Sequence, residues 1–255
     1  MRTSILLIVA VASLSLTGCK YFSQRLNKEE PVVIDYNDPE FTGVKPYYEE
    51  GHLVREASYV GGVRNGPTTT YYRGTDRIRQ IINYRNGLRH DTAKWFYEDG
   101  HLFRITPYVN DTIHGTQIQY YRSGRPRTKI HFENGLREAR LEEFHDGRGK
   151  IERDVNITYR VVDDYEEGYI YTIHATIDHP SYRVTFYRGG LADGRLFDPN
   201  RVQRIYMSDR TATIQLHRSR GTNRGYIDII AEYITPFANR DYIHKRIPLP
   251  YRDMN

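Results

Sequence analysis

The chain has 255 residues, a formal charge of +5, one cysteine and 23 tyrosines. That length suits two ordinary domains and a tether, and a lone cysteine excludes intramolecular disulfides. The arginines are dispersed rather than gathered in a basic run, which reads as a solvated positive face or as attraction to anionic headgroups or an acidic polymer, not as nucleic-acid recognition. At the N-terminus, Arg2 precedes a stretch from Ile5 to Leu16 that is apolar apart from two serines. It falls short of the roughly 20 residues that cross a bilayer as a helix, so it predicts a cleaved export signal over residues 1–18. Export separates the protein from cytoplasmic nucleic acid.

Leu16-Thr17-Gly18-Cys19 follows and resembles the bacterial lipobox, in which the cysteine thiol takes a diacylglycerol and cleavage leaves that cysteine at the new N-terminus. The resemblance implies lipid attachment at Cys19 through acyl chains such as palmitate. At about 0.8 kcal/mol per buried CH₂, two or three chains anchor stably where one holds only marginally. Lys20, not an aspartate, follows Cys19, and by the same resemblance this points to the outer rather than the inner membrane. Residues 19–46 carry Lys28-Glu29-Glu30-Pro31 and Asn37-Asp38-Pro39 without a sustained period and read as a lipidated tether, with Val32-Val33-Ile34 as one added strand.

An internal repeat organises the next hundred residues. Aromatic residues recur at Tyr48, Tyr72, Tyr97, Tyr121 and Phe144, in steps of 24, 25, 24 and 23. Each is followed by a turn with a glycine, at Gly51, Gly74, Gly100, Gly124 and Gly147, that can take the positive φ of a tight hairpin. A second aromatic column, Tyr59, Tyr84, Tyr108 and Phe132, lies eight residues beyond Gly51, Asp76, Gly100 and Gly124. Ala57, Ile82, Thr106 and Ile130 share the parity of that column, which is a strand period, although Arg55 and Arg104 share it too. Asn65-Gly66, Asn86-Gly87 and Asn134-Gly135 read as the returning turns. Each unit is then one hairpin with too small an apolar face to fold alone, and stacking predicts an elongated twisted sheet over residues 47–150.

Tyr47-Tyr48-Glu49-Glu50-Gly51, then Tyr59, then Asn65-Gly66 resembles the MORN-repeat variant, whose pattern runs aromatic, aromatic, two free positions, glycine, an aromatic eight on, and Asn-Gly. The resemblance covers about residues 46–150 and implies a stack of hairpins. Bacterial relatives of this kind are often described as YwqK-like antitoxins, and eukaryotic ones as scaffolds for membrane lipid or protein. Asp91 and Ala139 depart from the pattern, standing where other units have Gly66 and Gly115.

From Val155 the repeat stops. Alternating runs over residues 155–162, 169–177, 182–187, 202–207, 211–216, 226–234 and 242–247 predict seven short strands and a β-sandwich over 151–255. The fold class is all-β, with an immunoglobulin-like sandwich as the expected topology and a barrel as the alternative.

Motifs that carry chemistry are missing: there is no His-Glu-x-x-His, no Gly-x-Ser-x-Gly, no P-loop and no dinucleotide fingerprint. His52 and His101 fill the same turn position, and a strand sends His174 and His179 to opposite faces, a poor metal pair. Asp163-Asp164-Tyr165-Glu166-Glu167 lacks Ca²⁺-loop spacing and reads as a solvated hairpin loop, Asp193-Gly194 and Asp198-Pro199 read as turns, and Trp95 reads as packing. No catalytic residue, metal or cofactor is expected. The expected function is a membrane-anchored, non-catalytic envelope lipoprotein whose Tyr/Arg-rich sheet binds protein, lipid headgroup or glycan, with Tyr48, Tyr59, Tyr72, Tyr84, Tyr97, Tyr108 and Tyr121 as the candidate face. Two other readings stay open: an envelope hydrolase whose paired carboxylates meet only in three dimensions, and an antitoxin-like partner of a toxin.

Overall fold

The computed structural model describes residues 35–179 and 183–255. Cys19, the rest of the export and lipid-attachment segment, and Val32-Val33-Ile34 lie outside them. The fold is all-β: a long antiparallel sheet is followed by a sandwich, and no described helix is long and apolar enough to cross a membrane.

The long sheet is a meander in which sequence neighbours are also spatial neighbours. Its order is Gly43–Glu49, His52–Val60, Val63–Tyr71, Ile78–Arg85, Asp91–Phe96, Leu102–Val109, Gly115–Tyr120, Pro126–Glu133 and Leu136–Glu138. On one rim the strands reverse through Gly61-Gly62, Asn86-Gly87, Asn110-Asp111 and Asn134-Gly135, each pair with φ between 47° and 84°. Two successive positive φ values make the type I′ turn whose twist matches that of the strands.

These turns correct one expectation. Asn86-Gly87 and Asn134-Gly135 do turn the chain, but Asn65-Gly66 lies inside the strand Val63–Tyr71, and Gly61-Gly62 makes that reversal instead. Gly66 belongs to a different column, with Asp91, Gly115 and Ala139, where the strand is interrupted or shifts register. Gly66 and Gly115 have φ of 100° and 105°, and Asp91 reaches 59° in their place.

Backbone hydrogen bonds repeat along the same rim. The second turn residue donates its N–H to a carbonyl of the preceding unit: Gly62 to Phe41 (2.9 Å), Gly87 to Arg64 (2.8 Å), Asp111 to Arg89 (2.9 Å) and Gly135 to Ile113 (2.9 Å). Phe41 thus starts the series, and the first strand begins at Gly43, within the segment expected as tether. At the opposite rim, Tyr72, Tyr97 and Tyr121 each donate a hydroxyl to a carbonyl one unit on, that of Phe96 (2.7 Å), Tyr120 (2.9 Å) and Phe144 (2.7 Å). Charges there also pair from unit to unit, as Arg73–Glu50 (2.9 Å), Arg77–Glu98 (3.9 Å), Arg122–Asp99 (3.3 Å) and Arg125–Asp146 (3.6 Å). Solvent-exposed pairs of this kind contribute about 0–1 kcal/mol each, so the backbone and tyrosine ties carry the stacking.

The second domain has two four-stranded sheets. One runs Ile157–Asp164, Ile170–Ile177, Thr211–His217, Met207–Ser208; the other runs Gln203–Arg204, Val184–Arg188, Tyr226–Ile234, Arg240–Pro248. Lettered in chain order as A, B, C, C′, D, E, F, G, these are A-B-E-D facing C′-C-F-G, the strand order of the immunoglobulin sandwich. Alternation fills its core: Ile173, Ala175 and Leu216 from one sheet meet Phe186, Ile229, Ala231, Tyr233 and Ile247 from the other. The strand expected over 202–207 is in fact two, one in each sheet. The acidic segment forms one helical turn, Tyr165–Gly168, where a loop was expected.

The joint between the domains was not legible in the sequence. The C–C′ connection sends Leu196–Phe197 back to the open end of the repeat sheet, where Phe197 pairs with Arg137 and Leu196 with Glu138. Phe197 stacks on Tyr242 at 4.2 Å, within a buried cluster that includes Ala139 and Ile230. This strand covers an edge that would otherwise be open to another chain. Beside it the fully buried Glu143 pairs with Arg153 and accepts hydrogen bonds from Thr235 (2.8 Å) and Asn239 (2.5 Å) of the F–G turn. Asn239 also donates to Thr128 (3.1 Å), and Asp241 accepts from the N–H of Leu141 (3.1 Å) and from Tyr233 (2.5 Å). A buried carboxylate this well paired avoids most of its desolvation cost.

Candidate functional site

Among the described residues, the buried hydrophobic clusters all lie in the sandwich and at its joint with the repeats. The repeat sheet is a single layer, and its faces are built from side-chain ladders rather than a shared core. On one face, small residues fill the centre: Ala57, Ala93, Thr106 and Thr128 are each 0–1% exposed, screened by the longer side chains around them. Those longer side chains are arginines and aromatic rings.

Cross-strand register places Arg55, Thr70, Gln80, Trp95, Arg104 and Gln119 opposite one another in a row across the sheet. Arg55 lies 3.9 Å from the centre of the Tyr47 ring, and Arg104 lies 4.2 Å from that of Trp95. Four residues along the strands, beyond the row of Ala57, Ala93 and Thr106, runs another row, where Arg64 stands 5.3 Å over Tyr84 and Arg89 4.5 Å over Tyr108. Each stack contributes about 0.5–1 kcal/mol where exposed and more where water is excluded. Arg89 is held further by Asp111, whose carboxylate accepts from its Nε (2.8 Å) and from its backbone N–H (2.9 Å).

Electrostatics on this face follow from the packing. Burial lowers the pKa of Arg104, with Tyr108 acting weakly against it. The hydroxyls of Tyr47 and Tyr59 meet at 2.7 Å. Burial raises Tyr59, but its hydrogen bonds with Tyr47 and Arg64 more than reverse this, while burial and the Tyr59 hydroxyl raise Tyr47. Among the described residues, Arg55, Arg64, Arg89 and Arg104 together outnumber the one acid, Asp111, that pairs with them.

The seven tyrosines singled out in the sequence separate into distinct sets. Tyr59, Tyr84 and Tyr108 lie on the face just described. Tyr72, Tyr97 and Tyr121 lie on the rim with their hydroxyls engaged by the next unit. Tyr48 is at the first hairpin turn, 54% exposed. Arginine was expected on the sheet as a residue type, but Arg55, Arg64, Arg89 and Arg104 were not singled out, and Trp95 was read as packing. Their signal was the polar residue at an apolar parity, at Arg55 and Arg104, which read as imperfection in the pattern.

Residues 92–110 and 113–134 match the family model described as MORN repeat variant. Over these residues the stacked hairpins are MORN-variant repeats. The match spans the central units, and the rim hydrogen bonds carry the same geometry back toward the N-terminus as far as Phe41. No curated protein and no solved structure matches the chain. Among the described residues, no group of three or more His, Cys, Asp or Glu side chains is placed to hold a metal ion. The repeat sheet presents paired cationic and aromatic groups on an open surface, an arrangement suited to binding.

Proposed function

We propose that this protein is a lipid-anchored, non-catalytic scaffold of the bacterial cell envelope, held at the outer membrane through Cys19, whose MORN-variant sheet receives the acidic face of an envelope protein. The observation that carries the proposal is the set of guanidinium-on-ring stacks on an open sheet face. Arginine, tyrosine and tryptophan are the side chains in which interface energy concentrates. Stacked in advance, they lose less rotamer freedom on binding than free side chains do. A broad ladder suits a folded protein surface, whereas small ligands seek concave sites. The surplus of arginine over acid on this face selects an acidic partner. The lipobox resemblance at Leu16-Thr17-Gly18-Cys19 supports the anchor.

The test is in-cell crosslinking with mass spectrometry on the wild type, on an Arg64→Ala, Arg89→Ala, Arg104→Ala triple variant, and on Cys19→Ala, with circular dichroism to verify folding. The triple variant is expected to lose an enriched envelope protein while remaining folded, and Cys19→Ala to move from the membrane to the soluble fraction. An unchanged crosslink profile in the triple variant argues against the docking face, and tight membrane association of Cys19→Ala argues against the anchor.

A further inference from the structure

The C′-C-F-G sheet is covered by the repeats only over part of its outer face, around Phe197 and Tyr242. Further along the same strands lies a depression of about 310 Å³, lined by Arg201, Arg224, Asp228, His244 and Arg246 with Gly190 at its edge. That volume is at the lower end of the range for small-ligand sites.

Asp228, His244 and Arg246 are fixed in place, and the backbone that carries Arg201 and Arg224 is held. Asp228 accepts from Arg246 Nε (2.9 Å) and from His244 Nε2 (2.9 Å) on one oxygen, and from Arg246 Nη2 (3.2 Å) on the other. Arg246 is stacked 3.8 Å over Tyr226. Burial alone would raise the Asp228 carboxyl, but these hydrogen bonds bring it below the usual carboxylate range and keep it ionised. Arg201 ends a 3-10 turn, Pro199–Arg201, that Asp198 caps by accepting from the Asn200 N–H (2.9 Å). Arg224 follows Asn223, whose side-chain amide is bound to the carbonyls of Tyr251 (2.9 Å) and Met254 (2.8 Å). A Cβ on Gly190 would come within 3.3 Å of Asp228 Oδ2, so glycine lets the C–C′ connection lie close against this group.

Asp228 is matched by Arg246 and His244, while the Arg201 and Arg224 side chains make no ion pair or hydrogen bond among the described residues. Three guanidiniums against one carboxylate leave two positive charges facing one cavity. Guanidinium pairs match the geometry of phosphate oxygens, and a phosphate monoester carries about −1.5 to −2 charge at neutral pH, where a carboxylate carries one. From this arrangement we propose that the depression is a binding site for a phosphate monoester, with Arg201 and Arg224 contacting the phosphoryl oxygens and Asp228 holding Arg246 in position. The site lies in the sandwich and is distinct from the protein-docking face of the repeats.

The experiment uses the full-length chain carrying Cys19→Ala, so that no acyl anchor carries it to a vesicle. Isothermal titration calorimetry is run with glucose 1-phosphate and with acetate, and co-sedimentation with phosphatidylcholine vesicles with and without phosphatidate. Binding of a phosphate ligand is expected, with acetate weaker by about tenfold or more, and with an Arg201→Ala, Arg224→Ala double variant losing about tenfold or more at an unchanged unfolding temperature. Arginine-dependent binding to glucose 1-phosphate alone identifies a soluble phosphate ester as the source, and arginine-dependent binding to phosphatidate vesicles identifies a lipid headgroup. Acetate equal to phosphate, or a double variant that binds as the parent does in both assays, overturns the proposal.

Discussion

Tyr72, Tyr97 and Tyr121 show how one residue type serves two purposes in this protein, because their hydroxyls bind the next unit while Tyr59, Tyr84 and Tyr108 are directed to the arginine-bearing face. A single hydrogen bond of the first kind contributes about 0.5–1.5 kcal/mol. Tyr97→Phe is expected to lower stability by that amount in denaturant unfolding, whereas Tyr48→Phe, exposed at the first turn, is expected to leave it unchanged. Tyr242 makes a second prediction at the domain joint. Its pKa is pushed up to about 12 from an ordinary 10.0, by burial first and then by the negative charge of Glu232. Because the folded value is raised, the stabilising contribution is whole below pH 10 and is lost as the pH climbs from there to about 12. The unfolding temperature of the wild type should therefore fall more steeply over that window than that of Tyr242→Phe.

Individual hairpins were legible because their signals are local. Aromatic steps near 24 residues, a glycine in each turn and Asn-Gly pairs all report on backbone conformation within a few residues. Gly66 misled because a glycine at a break in a strand and a glycine in a turn leave the same mark in a sequence, and only the pairing partners separate them. Gly115 occupies the same column at φ 105°, and a Cβ there would stand 3.2 Å from Pro107 Cγ. Gly115→Ala is expected to cost about 1–3 kcal/mol, while Asp91→Gly, at φ 59° in the equivalent place, is expected to be near neutral. Chemical denaturation of the two variants side by side measures the difference. In the sandwich, periodicity located the longer strands, Tyr226–Ile234 included, but the two-residue strands Gln203–Arg204 and Met207–Ser208 are too short to show a period.

At the level of the whole molecule, the joint and the Arg/aromatic face were the least legible features, for one physical reason. Leu196–Phe197 meets the last repeat strand across about sixty residues of chain, and Glu143 finds Thr235 and Asn239 from even further away. No local pattern marks such partners. Half of the Arg/aromatic stacks likewise exist only once units are stacked, since Arg64 reaches Tyr84 and Arg89 reaches Tyr108 in the next unit. The joint fixes that ladder to the sandwich through a covered sheet edge and a buried ionic network, so the Arg/aromatic face and the arginine-lined depression are carried on one framework. The most direct test of the docking face is site-specific photocrosslinking in cells, with a benzoylphenylalanine at Gln80, in the row of Arg55 and Arg104, compared with one at Lys94, whose neighbour Trp95 belongs to that row. Adjacent strand residues point to opposite faces, so a discrete adduct with an envelope protein is expected from position 80 and not from position 94. Equal adducts from both positions, or none from either, would contradict the account.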